Sequence, residues 1–170
     1  MFARSHCGHL ARPLRRAAAL GTASGLFLLL RRKLVVVTIS GTSMEPTLRT
    51  GDHVLGLRTS PRRLLLGDII IVRPPTPWDK QLLAETGSLW AVKRITAVPG
   101  QRAPATHDPI SSVLRREPLV PDGHIFVTGD SPTSADSHHW GYVPTDRVRA
   151  IVIATVHQRG QYRPPAHRLR

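Results

Sequence analysis

Short β-branched runs, separated by proline and glycine, constrain the fold of this chain more than any other feature. Six such runs occur: LVVVTI (34–39), VLGL (54–57), DIIIV (68–72), WAVKRITAV (90–98), HIFVTG (124–129) and RVRAIVIATV (147–156). Val, Ile and Thr favour strands, whereas Pro and Gly end them. No long window after residue 33 shows the helical period of about 3.6 residues. The sequence therefore predicts a mainly β domain over residues 34–156, a compact folded sheet or barrel.

The segment before this domain has the layout of a membrane anchor. Residues 1–16 are basic, residues 17–30 are apolar or small, and a second basic flank, RRK, ends at residue 33. A full span takes about 20 apolar residues, but long arginine side chains can extend a shorter one. We expect one N-terminal membrane-anchoring helix at 17–33 after a basic segment at 1–16. The alternatives are a mitochondrial transit region and a cleaved secretory signal, although no clear A-x-A site is present.

The charge of the chain is strongly positive and comes almost entirely from arginine. The formal net charge is +13, and the lysines are Lys33, Lys80 and Lys93. We interpret this balance as a compositional preference for arginine over lysine, with charged ends that contact lipid headgroups. No zinc-finger spacing or RNA-binding aromatic motif is present, so we expect no nucleic-acid partner. The basic, proline-containing segment 157–170 is expected to be a flexible tail.

Cysteine and histidine give no sign of a metal site. Cys7 is the only cysteine and allows no intrachain disulfide. Metal-ligand spacing is lacking at His53, His107, His124, His157 and His167. We therefore expect no metal and no other cofactor.

Three segments carry residues that chemistry could use. Ser43 lies in a turn, SGTSMEPTL (40–48), that can present a hydroxyl. Lys93 lies among apolar neighbours on a predicted strand, where desolvation can lower its pKa toward neutrality. A neutral amine can take the proton of a serine hydroxyl, which arginine cannot do. The polar loop GDSPTSADSHHWG (129–141) can orient such a side chain. Each segment alone also fits an ordinary turn, strand lysine or polar loop.

Taken together, the segments resemble a known family. SMEPTL (43–48), GDIIIV (67–72), VKRITAVPG (92–100) and GDSPTSADSHHWG (129–141) are similar, in order, to four boxes of the type I signal peptidases. This is the S26-type family with a serine–lysine dyad, which includes bacterial signal peptidase I and the mitochondrial inner membrane peptidase. The resemblance covers roughly residues 15–156.

The resemblance implies a role for each matching residue. Ser43 would be the nucleophile, and its backbone N–H would help form the oxyanion hole. Lys93 would be the general base, neutral near pH 7. Supporting positions of the last box are Ser134, which would hydrogen-bond the lysine amine, and Asp136, Gly129 and Asp130.

The implied function is that of a membrane-bound serine endopeptidase that removes N-terminal signal peptides from exported preproteins. Its substrates would carry small residues near the cleavage site and would bind as an added strand beside residues 34–39. We expect a monomer in contact with the lipid bilayer. The expected location is the bacterial plasma membrane, single-pass, with the catalytic domain on the outer face. The mitochondrial inner membrane, facing the intermembrane space, is the alternative.

The chain departs from the family pattern in several places. Gly41 stands where some members have a serine that adds an oxyanion donor. Ser131 replaces the usual asparagine, and the last box is one residue shorter than usual between Asp130 and Ser134. His138 stands where arginine is usual, which predicts a weakened, pH-sensitive pair with Asp136.

Three other functions remain open on sequence. One is a non-catalytic, membrane-tethered peptide-binding domain with a degenerate site, and another is a self-cleaving repressor-like Ser-Lys protease. The third is a Ser-His-Asp hydrolase of Ser43, His138 or His139, and Asp136. An argument against this third function is that Asp136 and His138 are two residues apart on a stretch that we expect to be extended, where their side chains would not touch well.

Overall fold

The computed structural model describes residues 31–58, 60, 63–104, 119–156 and 162–163. By its internal contacts the chain divides into residues 1–34 and residues 35–170. Only residues 31–34 of the first unit are described, and residues 31–33 are helical. The predicted basic segment at 1–16 and nearly all of the predicted anchor at 17–33 thus lie outside the described residues. Within the described residues, no helix has the length and hydropathy needed to cross a bilayer.

The second unit is mainly β, as the sequence predicts. The six predicted runs form β1 (Leu34–Thr38), β2 (His53–Leu57), β3 (Ile69–Val72), β4 (Ala91–Ala97), β5 (His124–Thr128) and β7 (Val148–Val156). Two shorter strands were not predicted, β6 (Val143–Pro144) and β8 (Tyr162–Arg163). The last one lies inside the expected flexible tail, whose other residues are not described.

The strands form one sheet in the order β1-β2-β7-β3-β4-β5-β6, with β8 also paired to β7. Strand β7 is the centre of the sheet because it pairs antiparallel with β2, β3 and β8. Register shifts interrupt the β2–β7, β3–β7 and β4–β5 ladders. Such irregularities bend strands and increase their twist, so the sheet curls.

The core lies on both faces of the curled sheet. Ile69 and Ile71 of β3 belong to one apolar cluster, whereas Ile70 and Val72 belong to the other. Successive side chains of a strand point to opposite faces, so a strand covered on both faces is apolar throughout. This explains why β3 is a continuous run rather than an alternating one.

A helix between β3 and β4 was missed at the sequence level. Helix α1 (Trp78–Thr86) ends at Gly87, which adopts a left-handed conformation with φ 69°. The Gly87 N–H donates to the Leu83 carbonyl at 2.9 Å. The helix has no apolar stripe, since Asp79 is its only buried residue. Glycine at this position is nevertheless a common helix stop signal, and it could have indicated α1.

Candidate active site

The turn that carries Ser43 is fixed at both ends by the first apolar cluster. After β1, the Ile39 N–H donates to the Asp52 carbonyl at 2.8 Å, and the Gly51 N–H donates to the Ile39 carbonyl at 2.9 Å. Met44, the next residue after the serine, is buried in the core. Ser43 itself is half-buried. The chain therefore holds the serine at the boundary between core and solvent.

Gly41 enters this turn with φ +97°, a conformation that side chains strongly disfavour. A serine at this position, as in some relatives of the family that the sequence resembles, would be strained in this turn. Gly41 also lacks the side-chain oxyanion donor that serine provides in some members, and the left-handed backbone conformation at this position explains why glycine suits it.

The loop after β5 packs directly against the Ser43 turn. The Ser131 N–H donates to the Ser43 carbonyl at 3.1 Å. Gly129 has no room for a side chain, because a Cβ atom there would overlap the Ser43 carbonyl oxygen and the Ser134 side chain. Glycine at 129 therefore lets the two loops approach closely enough to share one site.

Lys93 is buried in the middle of β4, with only 3% of its surface exposed. Its strand lies between β3 and β5. The Lys93 Nζ donates a hydrogen bond to Ser134 Oγ at 2.7 Å. The structure therefore brings together the lysine and the serine of the last box that the sequence pairs.

Burial changes the acidity of this amine. It lowers the pKa of Lys93 from 10.5 to about 8, although the negative charges of Asp136 and Asp130 act in the opposite direction. With this pKa, about a tenth of the amine is neutral at pH 7. The resemblance implies an amine that is neutral near pH 7, whereas the pKa of about 8 in the structure is higher than that implies.

Asp130 is held by an arginine that sequence reasoning overlooked. Arg94 Nε and Nη2 donate to the two carboxylate oxygens of Asp130 at 2.9 and 2.7 Å. Burial would raise the pKa of Asp130, but the hydrogen bonds from Arg94 and Thr47 and the charge of Arg94 lower it. Because neighbouring strand residues face opposite sides, the pair of Lys93 and Arg94 could have indicated two separate cation sites.

The Asp136 carboxylate supports the loop by accepting hydrogen bonds from backbone N–H groups and by contacting one histidine. It is the N-cap of a second helix, α2 (Ser137–Trp140). Its carboxylate accepts from the N–H groups of Gly129 at 3.0 Å and His138 at 3.1 Å. His138 Nδ1 lies 2.8 Å from the same carboxylate. The pair expected to be weakened by the histidine thus forms.

The expectation that Asp136 and His138 do not touch was wrong. The stretch is a helix start rather than an extended segment, and a helix N-cap lies next to the second helical residue. The His138 ring packs edge-on against Phe126, with centroids 5.1 Å apart. Among the described residues that line the groove beside Ser43, neither His138 nor His139 occurs. The Ser-His-Asp alternative is therefore not favoured by this arrangement.

Ser43 and Lys93 line one groove of about 310 Å³. One wall comes from the end of β1 and the Ser43 turn, and the other from α1 and the start of β4. All three tryptophans of the chain, Trp78, Trp90 and Trp140, line it. Sequence reasoning missed the wall that α1 contributes, because it did not predict this helix. In the described part of the chain, no group of three potential metal ligands is found.

Comparison with known proteins shows the family of the chain. The sequence matches the family described as "Signal peptidase, peptidase S26" over residues 14–112 and 105–157. The chain belongs to this family.

Among similar proteins, a mitochondrial ATP-independent inner membrane protease subunit 1a from Arabidopsis thaliana is 36% identical over 69% of this chain and 67% of its own length. A mitochondrial inner membrane protease subunit 1 from Xenopus tropicalis is 33% identical, over 71% of this chain and 68% of its own. A probable signal peptidase I-1 from Synechocystis sp. is 32% identical, over 65% and 64%. By their names, the similar proteins include mitochondrial inner membrane proteases, a probable signal peptidase I and a probable chloroplastic thylakoidal processing peptidase.

Replacing Lys93 with methionine should stabilise the protein below pH 8. The folded pKa of about 8 lies below the unfolded value of 10.5. Between these values the unfolded state binds more protons, so wild-type stability rises with pH across that window and carries the full burial penalty below it. A shift of this size corresponds to roughly 3 kcal/mol. Urea unfolding at pH 7 and pH 10.5 measures it.

The matched control is Lys80→Met, because Lys80 is exposed on α1. We expect the free energy of unfolding of Lys93→Met to exceed that of the wild type at pH 7 and the gap to close by pH 10.5. A gap that does not change with pH, or one shared by Lys80→Met, would show that the amine titrates normally.

Proposed function

We propose that this protein is a membrane-bound serine endopeptidase that removes N-terminal signal peptides from exported preproteins, with Ser43 as nucleophile and Lys93 as general base. One observation carries the proposal. A buried lysine amine, held at 2.7 Å by Ser134, lines the same groove as the half-buried Ser43. Membership of the signal peptidase family makes peptide bonds the expected substrate.

The geometry supports a two-step reaction. In the first step the neutral Lys93 amine takes the proton of Ser43 as its Oγ attacks the scissile carbonyl. The Ser43 backbone N–H stabilises the oxyanion, and such a donor contributes roughly 10²–10³-fold in rate. The lysine then gives its proton to the departing amine. In the second step the same amine activates the water that hydrolyses the acyl-enzyme.

The remaining predicted residues act through these two. Ser134 accepts the hydrogen bond that orients Lys93. Gly129 allows the Ser134 loop to approach the nucleophile turn. Asp136 and Asp130 hold that loop through the Gly129 N–H and through Arg94. No metal or other cofactor enters this reaction.

The substrate is proposed to bind as an extended strand along the groove. Val37 and Ile39 on one side and Leu82 on the other make it largely apolar, which suits the small residues near a signal-peptide cleavage site. We place the enzyme in the bacterial plasma membrane, as a monomer with its catalytic domain on the outer face. The names of the mitochondrial relatives keep the mitochondrial inner membrane as the alternative.

Substitution of either dyad residue should abolish cleavage of a signal-peptide substrate by the full chain in detergent. We expect Ser43→Ala and Lys93→Arg each to lose at least roughly 10²–10⁴-fold in kcat, because arginine keeps the charge but cannot accept a proton. Lys80→Arg is the matched control and should retain full activity. Cleavage by Lys93→Arg at the wild-type rate would rule out proton abstraction by the lysine.

The rate should also depend on pH in a way set by Lys93. Since the pKa is about 8, kcat/KM should rise about tenfold between pH 7 and pH 9, as the neutral fraction rises. Steady-state rates over pH 5.5–10 (roughly the range in which the amine titrates) measure this. An acid limb centred near the ordinary pKa of histidine, about 6.5, would instead indicate a histidine base.

A further inference from the structure

Trp140 stands over the lysine amine. The Lys93 Nζ lies 5.6 Å from the centroid of the Trp140 ring. The ring is partly buried against the second apolar cluster, and both Trp140 and Lys93 line the groove. The indole thus covers part of the surroundings of the amine at the edge of the groove.

The position of Trp140 is fixed by the same loop that carries Ser134. Its N–H donates to the Asp136 carbonyl at 2.8 Å. The preceding Ser137 Oγ accepts from the Val127 N–H of β5 at 3.0 Å. His139 contacts the edge of Trp78 on α1, with ring centroids 6.2 Å apart. The short helix α2 that carries Trp140 is therefore anchored to β5 through Ser137 and to α1 through His139.

We propose that Trp140 is a positioning residue that keeps water away from the Lys93 amine. The proposal rests on the proposed role of Lys93 as general base. In this role the tryptophan touches neither nucleophile nor scissile bond. It keeps the amine dry before the substrate covers the groove, so that the base is available in the free enzyme.

Two effects of the ring oppose each other. The face of an indole attracts an ammonium ion, which favours the charged form. Exclusion of water favours the neutral form. Burial by all the surrounding groups together is the largest influence on the pKa of Lys93, and we expect the share contributed by the ring to outweigh its attraction for the ammonium ion.

Other charges near the amine do not depend on Trp140. Asp130 and Asp136 act on the amine directly, and each is held by bonds of its own. The further charged or titratable groups on the surrounding elements are Arg94 beside Asp130, His138 beside Asp136, His139 on α2 and Glu85 on the groove side of α1. Because these contacts do not involve the Trp140 side chain, we expect a substitution at 140 to leave them in place.

The test measures the Lys93 amine itself rather than peptide cleavage. The chain has three lysines, so Lys33→Arg and Lys80→Arg leave Lys93 as the only lysine signal in an NMR titration of the full chain. Trp140→Gln and Trp140→Leu form a matched pair of similar size, one polar and one apolar. We expect glutamine to raise the pKa of Lys93 by about one unit and leucine to raise it by less than half as much.

Trp90→Leu is the control, because Trp90 also lines the groove, but the cation over its ring is Arg149 rather than the Lys93 amine. It should leave the pKa of Lys93 unchanged. The acid limb of kcat/KM should move to higher pH in Trp140→Gln and stay in place in Trp90→Leu. An unchanged or lowered pKa in Trp140→Gln would overturn the proposal.

If the Trp140→Gln variant does not fold, a second measurement on Trp140→Leu tests the proposal instead. In the chain with its native lysines, acetic anhydride modifies the exposed Lys80 as an internal reference. The smaller leucine opens a gap at the ring position, so Lys93 should react faster relative to Lys80 in Trp140→Leu than in the wild type. An equal ratio would overturn the proposal. Neither measurement needs cleavage, so failure of the protease function would be seen separately.

Discussion

The hydrogen bond between the buried Lys93 amine and Ser134 joins β4 to the loop after β5, and the candidate site depends on it. A lysine amine is strongly hydrated, and the interior of the curled sheet removes that hydration. The amine can remain there because one polar partner is supplied by the loop after β5, while the surrounding strands exclude water. The same burial that opposes its charge makes it a proton acceptor near pH 8.

The two carboxylates near the amine are engaged elsewhere. Asp130 is bound at both oxygens by Arg94, and Asp136 accepts from two backbone N–H groups and from His138. A carboxylate bonded directly to Lys93 would favour the ammonium form and raise its pKa. Because both carboxylates are bonded to other donors, they hold the loop in place without bonding directly to the Lys93 amine. The amine therefore keeps its lowered pKa.

The sequence predicts the strands well and the wall of the groove poorly. Strands such as 69–72 are apolar on both faces, so composition alone indicates them. Lys93 is conspicuous because arginine supplies almost every other cation. Helix α1 leaves only the stop signal of Gly87, and nothing in the sequence indicates the position of the Trp140 ring, because it comes from contacts with residues far away in sequence. The contact of Asp136 with His138 was missed because it depends on where α2 begins.

The central claim is that Ser43 is acylated with Lys93 as the base. The most direct measurement is mass spectrometry of the full chain after brief incubation with an activated ester of a peptide that ends in a small residue. We predict an acyl group on Ser43 that accumulates faster as the pH rises through about 8. An acyl group on another residue, or none on Ser43 at any pH, would contradict the account.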